Sequence, residues 1–515
     1  MNQTAPQARW HFTQKQGIFI ILIFAAVVRL PELFGEWQYD EIWSLLNFTG
    51  LGIGQILTDI SLPNNHPVNT LLMKLLKNIS QVPEVIRLGV FFTGISVVFL
   101  VMKLASRAGE KENTVAMYSA GILAAVSPAL ILFSVTARGY IFQLAGLLVC
   151  ADGLLDAGTG KKSKYTGVKI IGGGILAFLS VSSGIMFLGV AALGYLLLAP
   201  KERRWDKQVL ISGVVLLIAA LAYYVPLYDK LRAGQQWGNE ISSFTGLISF
   251  VFSTLKAHLP AFTALLTLCG VIFQMRMRKI FLLALVPPVL ALFTKAGPER
   301  VYLPLTALFT VMGGCGAAEL WNKVSGHRKL LNVIFCCGVA LNFNIFPEAW
   351  KLPAPAAEMK RTIAENDSSV LPVIASAAGF PVLANEPETA QEIDRRGAFP
   401  GTLLMLGCPN GVFNGADVNN SEQNMEFPVS GSFHAGAVQG YMYKLALTEN
   451  ISVQDTVLAV FSAPVPAEFI ALPGKKLRLN LWINQRNVLY ICKFSTSEIP
   501  YFEGVKYFLL GEKND

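Results

Sequence analysis

The chain has 515 residues, of which 53% are hydrophobic and only 15% charged, with a mean hydropathy of +0.48. That balance excludes a soluble globular protein and points to a chain that crosses a bilayer many times. The formal net charge is +8, but the basic residues lie in short clusters between apolar runs and build no single basic face, which argues against nucleic acid as a partner.

Hydropathy predicts about eleven membrane-spanning helices, at 17–33, 84–105, 114–133, 140–155, 168–179, 185–198, 209–228, 259–273, 280–293, 301–318 and 330–346. Hydrocarbon offers backbone polar groups no partner, so such segments are helical. The first carries Arg29, Pro31 and Glu32 where a signal peptide would carry a small-residue cleavage site, and reads as a retained span. Every second connection is basic: Lys103/Arg107/Lys111, Lys161/Lys162/Lys164, Lys201/Arg203/Arg204/Lys207, Arg276/Arg278/Lys279 and Lys323/Arg328/Lys329. The positive-inside rule makes these connections cytoplasmic. The N-terminus is then inside, and the loops at Asp40, Arg138 and 295–300, with the C-terminal tail, are outside. Cys150, Cys269, Cys315, Cys336 and Cys337 fall in apolar helices as small hydrophobes, and no C-x-x-C metal spacing occurs.

The loop after the first span carries Tyr39-Asp40-Glu41-Ile42-Trp43-Ser44. Acids beside a bilayer are costly, so this loop is the first candidate site. If 39–48 is helical, Asp40, Trp43, Ser44 and Asn47 share one face. Asn64-Asn65-His66-Pro67 then precedes an apolar stripe at helical spacing, Val68/Leu71/Leu72/Leu75/Leu76/Ile79. This predicts an amphipathic helix in the membrane interface, with Pro67 in its first turn and His66 at its positive, anion-favouring end. Arg138, Lys295 and Arg300 are further outward cations. Each also has a blander reading alone, because acidic pairs are often solvated faces and basic residues at span ends anchor to headgroups. Gly172-Gly173-Gly174 reads as a site of close helix packing rather than a phosphate loop.

After Phe346 the chain turns polar and rich in turn residues. A transmembrane domain at 1–346, with its first outer loop at 34–83, is thus followed by an extracytoplasmic α+β domain at 347–515. Alternation at Leu477/Leu479/Leu481/Ile483 and at Val488/Tyr490/Cys492/Phe494, around a turn at 484–487, predicts a hairpin. Further strands are predicted at 370–375, 441–447 and 505–509, and a short helix at 359–366. Cys408 and Cys492 are the tail's only cysteines, and sequence leaves open whether they pair. A scaffold or acceptor-docking role suits the tail better than a second active site.

Taken in order, Arg29-Leu30, Tyr39 to Ser44, Asn65-His66-Pro67, Ser127-Pro128 with Ser134, Ala137-Arg138-Gly139-Tyr140 and Arg300-Val301-Tyr302-Leu303-Pro304-Leu305 resemble the bacterial GT-C membrane glycosyltransferases. The branch most similar includes protein O-mannosyltransferases and the lipid A aminoarabinose transferase. The resemblance implies an inverting transferase of the bacterial inner membrane, which moves a sugar from a polyprenyl-phosphate donor to an extracytoplasmic glycan, lipid or protein. It implies Asp40 as the catalytic base, with Glu41 as second choice or orienting partner. His66, Arg138, Tyr140, Lys295 and Arg300 are implied to bind substrate and its phosphate. A divalent metal at Asp40 and Glu41 is the one cofactor the pattern admits. Relatives often carry an acid just before the Arg138 position, where this chain has Thr136-Ala137, which weighs against a metal site spanning the first two outer loops. They also continue His-Pro with a second proline, where this chain has Val68.

A separate argument leads to the same donor class. Nucleotide sugars are cytoplasmic and the candidate acids and cations face outward, so a sugar reaching them arrives on lipid, and its phosphate needs a cation site. The rival reading is a transporter or flippase of lipid-linked sugars without catalysis, which would place ionisable groups at the bilayer midplane in repeated halves. A membrane-anchored sensor would not require so many spans.

Overall fold

The computed structural model describes residues 13–34, 41, 44–45, 48–60, 65–80, 83–109, 113–161, 163–235, 241, 243–290 and 299–342, and six strands farther along. Asp40, Lys295, Cys408, the helix predicted at 359–366 and the strand predicted at 505–509 lie outside the described residues. The chain divides into two compact units: Met1–Leu33 with Gly52–Asn344, and Phe34–Leu51 with Ile345–Asp515.

The first unit is helical. Five helices are long and apolar enough to cross a membrane: Gln14–Leu33, Leu88–Ala108, Tyr140–Thr159, Lys207–Tyr224 and Arg300–Lys323. Two bent pairs bring the number to seven if each is one span: Thr114–Ala125 with Pro128–Val135, bent by 59°, and Phe244–His258 with Ala261–Phe273, bent by 105°. The apolar helices Thr166–Ser180 and Gly184–Leu198 have 15 residues each, short of a full crossing. Helices therefore stand at the predicted places, and among the described residues five to seven of them are crossings by length and composition. The breaks have a local cause. Proline pushes the residue before it out of the helical region, and Ser127 (ψ 118°) and Leu259 (ψ 80°) are the residues so displaced ahead of Pro128 and Pro260.

Val214, Leu217, Ile218 and Leu221 are each more than half exposed along one helix. An apolar surface of that extent suits lipid rather than water. Inside the unit, glycines let helices touch. A Cβ on Gly173 would lie 2.5 Å from the Gly146 carbonyl oxygen, so Gly173 serves packing between Thr166–Ser180 and Tyr140–Thr159, while Gly174 packs against Leu216 of Lys207–Tyr224. Gly270 and Gly316 play the same part between Ala261–Phe273 and Leu303–Lys323.

Buried arginines repair helix ends. Arg29 donates to the carbonyls of Ala25 at 2.9 Å and Ala125 at 3.0 Å, and so takes up a carbonyl freed by the break before Pro128. Arg87 donates to the Leu33 carbonyl at 3.2 Å, at the end of the first span.

The second unit carries β1 (Val370–Ile374), β2 (Val429–Ala435), β3 (Val438–Tyr443), β4 (Thr456–Ser462), β5 (Gly474–Asn480) and β6 (Asn487–Ser495). Four of them form a sheet in the order β1-β4-β6-β5, with β1 parallel to β4 and the other pairs antiparallel. The hairpin predicted from alternation is β5–β6, with Leu477 opposite Leu489. β2 and β3 pair with each other. β4 went unpredicted because Thr456-Val-Leu-Ala-Val-Phe is apolar without alternation. The same unit holds Phe34–Leu51, the first part of the loop after the first span. Its described residues are helical at 41 and 44–45, and the Phe48 N–H donates to the Ser44 carbonyl at 3.1 Å.

Candidate active site

The helical unit has two chemically different ends. At one, Lys103 and Arg107 on Leu88–Ala108 face Asp152 and Asp156 on Tyr140–Thr159, with Lys169 from Thr166–Ser180 closing the group. Lys103 and Arg107 reach Asp152 at 2.7 and 2.5 Å, Arg107 reaches Asp156 at 2.7 Å, and Lys169 reaches both acids at 2.7 Å. Arg203 approaches the Gly158 carbonyl and Arg276 the Gly109 carbonyl at the same end. Lys103 and Arg107, expected in a cytoplasmic connection, are instead ion-paired on a helix, as is Lys169. The signal was there in two i,i+4 pairs, 103/107 and 152/156.

Tyr140 begins the helix that carries Asp156, and a 16-residue separation puts it roughly 24 Å farther along the axis. The other end of the unit is built around it. Between Pro128–Val135 and Tyr140–Thr159 the chain makes a tight turn in which the Arg138 N–H donates to the Thr136 carbonyl at 2.7 Å. Arg138 is 2% exposed, and its guanidinium carbon lies 5.7 Å from the Tyr140 ring centroid. Arg300, in the short turn Glu299–Tyr302, donates through Nε to the Tyr140 hydroxyl at 3.1 Å. The Tyr140 ring also meets the His66 ring edge-on at 4.8 Å.

His66 is held by its neighbours. Asn65 donates to the carbonyls of Ile56 at 2.9 Å and Asp59 at 2.6 Å and accepts from the Thr70 hydroxyl at 3.0 Å, which shapes the turn ahead of Pro67–Lys77. His66 is the N-cap of that helix and Pro67 opens it, as the sequence predicts. Asn69, one turn on, donates to the Ala137 carbonyl at 2.7 Å and ties this helix to the Arg138 turn. The helix buries Asn69, Thr70 and Met73 and exposes Leu75, and Ile79 in the turn after it is exposed too, apolar surface suited to lipid. Gly139 is required by space: a Cβ there would lie 2.7 Å from the His66 Cβ and 2.6 Å from the Ser180 carbonyl oxygen.

The imidazole of His66 does not titrate as a surface histidine does. Burial holds its pKa well below 6.5, the Arg138 and Arg300 charges depress it further, and a hydrogen bond to the Ser180 backbone opposes them. His66 is therefore neutral at pH 7. The cause is tertiary: burial of the ring, beside the Arg138 and Arg300 charges.

Of the predicted site residues, the structure thus brings together His66, Arg138, Tyr140 and Arg300. Glu41 is described and buried, in the other compact unit. Asp40 and Lys295 lie outside the described residues. Among the described residues no group of three or more His, Cys, Asp or Glu side chains is placed to hold a metal. Sequence reasoning missed Asn69, which a polar residue within an apolar stripe could have flagged. It also missed Gln143, whose side chain donates to Ser183 at 2.8 Å, and His258, whose Nδ1 lies 2.8 Å from the Thr306 hydroxyl.

No family model matches the chain, and no curated protein does. Among solved structures it is similar to ArnT from Cupriavidus metallidurans bound to undecaprenyl phosphate, with a TM-score of 0.51 and 13% identity over 92% of this chain and 97% of that one. ArnT in the apo state gives a TM-score of 0.49 and 12% identity, over 84% of this chain and 99% of that one. The archaeal oligosaccharyltransferase AglB from Archaeoglobus fulgidus, in complex with an inhibitory peptide and a dolichol-phosphate, gives 0.44 and 12%, over 84% and 74%. At 13% identity, the first likeness shows a shared fold.

Proposed function

We propose that this chain, which has the fold of the GT-C membrane glycosyltransferases, moves a sugar from a polyprenyl-phosphate donor to an acceptor outside the cytoplasm. The observation that carries the reading is the pair of arginines, Arg138 and Arg300, gathered around Tyr140 at the end of the helical unit opposite the Asp152/Asp156 ion pairs. Two guanidinium groups so placed suit a phosphate diester, with geometry that a lysine would not reproduce. The ArnT structure that shares this fold holds undecaprenyl phosphate, which supports the same donor class here.

In the mechanism, the acceptor hydroxyl attacks the anomeric carbon and gives its proton to a carboxylate, while the bond from that carbon to the phosphate oxygen breaks with both electrons going to phosphate. Asp40 is the base on this reading, with Glu41 the alternative or its orienting partner. The leaving phosphate departs as an anion and needs no general acid. Arg138 and Arg300, with Lys295 as a further cation, stabilise the growing charge. A single displacement inverts the anomeric centre. The protein sits in the bacterial inner membrane with this end outward, about eleven crossings and an extracytoplasmic C-terminal domain at 347–515. The acceptor is a glycan, lipid or protein. Sugar identity and any metal requirement lie beyond this reading.

The test is transfer by purified protein in liposomes, read as release of undecaprenyl phosphate from a hexosyl undecaprenyl phosphate. Asp40→Asn keeps shape but cannot take the proton, so turnover should fall by ~10² or more. A near-normal rate would move the role to Glu41, and normal rates in both Asp40→Asn and Glu41→Gln would defeat the mechanism. Sugar lipid crossing the bilayer with no release of undecaprenyl phosphate would favour transport instead, the reading to which the broken helix before Pro128 lends its support.

A further inference from the structure

Among the described residues, His66 Nε2, near the arginine pair, and Gln143 Oε1, one turn along the helix from Tyr140, are buried acceptor atoms with no hydrogen-bond partner. Their side chains belong to residues 3% and 0% exposed. Each is anchored at its other end to the same segment. The His66 ring bonds to the backbone of Ser180, the last residue of Thr166–Ser180, and the Gln143 amide nitrogen donates to the Ser183 hydroxyl three residues later. The tautomer that carries its proton on Nδ1, toward the Ser180 backbone, leaves Nε2 a lone pair. The carboxamide nitrogen is turned to Ser183, and the carboxamide oxygen can only accept. Gly139 joins the two, since its backbone packs on His66 and its carbonyl accepts the Gln143 N–H at 3.0 Å.

Two acceptors left unsatisfied in a protein interior are costly unless a ligand supplies donors. A phosphate cannot, because its ionised oxygens only accept. The hydroxyl groups of a sugar can. We propose that His66 and Gln143 are specificity residues that accept hydrogen bonds from hydroxyls of the donor sugar, next to the arginines that hold its phosphate. This rests on the transferase reading above and assigns His66 to the sugar rather than to the anion.

The test compares Kd values of the full-length protein for bare undecaprenyl phosphate, undecaprenyl phosphomannose and undecaprenyl phosphoglucose, by native mass spectrometry in detergent. The wild type should prefer at least one hexosyl lipid to the bare lipid. Gln143→Leu and His66→Phe should each cut that preference by ~10-fold while bare-lipid affinity stays within about twofold, as expected for loss of a buried hydrogen bond. If His66→Phe fails to fold, Gln143→Leu decides alone. A preference that survives the substitutions overturns the proposal, as does a wild type with no preference. A parallel loss of bare-lipid affinity also overturns it and returns these residues to the phosphate or the fold. A wild type that binds no prenyl phosphate at all would instead sink the transferase reading, which keeps the two failures apart.

Discussion

Arg138 and His66 are contact neighbours of one tyrosine, yet they have opposite relations to charge. Arg138 keeps its guanidinium against the Tyr140 ring and stands where an anion gains from it. Arg138→Ala should therefore weaken binding of undecaprenyl phosphate by ~10-fold or more and slow transfer as well, because the contact exists both before and during departure of the phosphate. Unchanged affinity in a lipid-binding titration would remove it from the phosphate site. His66 gives a pH dependence whose sign follows from its environment. The unfolded chain takes up a proton on this ring near pH 6.5, whereas burial and two arginines keep the folded ring neutral well below that. Acidification through about pH 6.5 thus favours the unfolded state, and the melting temperature should fall between pH 7.5 and 5.5. In His66→Gln the fall should be smaller; an identical slope would show that the ring is protonated in the fold. Sequence could mark His66 and its N-cap position from the following proline. Its charge was out of reach, because that depends on Ser180 and Arg300, remote in sequence and near only after folding.

At the scale of elements, the helix breaks and the charges that repair them belong together. Ser127-Pro128 announces a break in any sequence, but that Arg29 from another helix caps the freed Ala125 carbonyl is a tertiary fact. The ion-paired end tells the same story. Asp152 receives Lys103, Arg107 and Lys169 from two other helices while itself 3% exposed. Asp152→Asn leaves three cations around one remaining acid. Removing a partner from a buried pair is strongly destabilising, but Lys103 and Lys169 are partly solvated, with side-chain exposures of 37% and 27%, so the loss is about 2 kcal/mol. A thermal melt should show a drop of several degrees, with undecaprenyl phosphate affinity within about twofold of wild type because the site lies at the far end of the helix. Equal stability would reduce the cluster to surface decoration, and lost affinity would couple the two ends.

Across the whole molecule, the distribution of charge predicts an orientation that fusions can read. Reporters at Lys162, Arg204 and Arg278 should report the cytoplasm, and reporters at Asn65 and Asn366 the opposite side. A cytoplasmic signal at Asn65 would remove the argument for a lipid-carried donor, since His66 would then face nucleotide sugars directly. By itself the sequence determined the class of molecule, because hydropathy and helical spacing are local properties and hydrocarbon leaves the backbone no alternative to a helix. Local rules equally marked Pro67 in its first turn and the β5–β6 hairpin, whereas the spans read as continuous through Pro128 and next to Pro260 are bent there in the structure. Tertiary structure alone decided which helices are too short to cross unaided, that Arg300 reaches Tyr140 from 160 residues away, that Lys169 is paired, and that His66 is neutral with an acceptor to spare. Those properties depend on desolvation and on partners distant in sequence, and both come into being only when the helices pack.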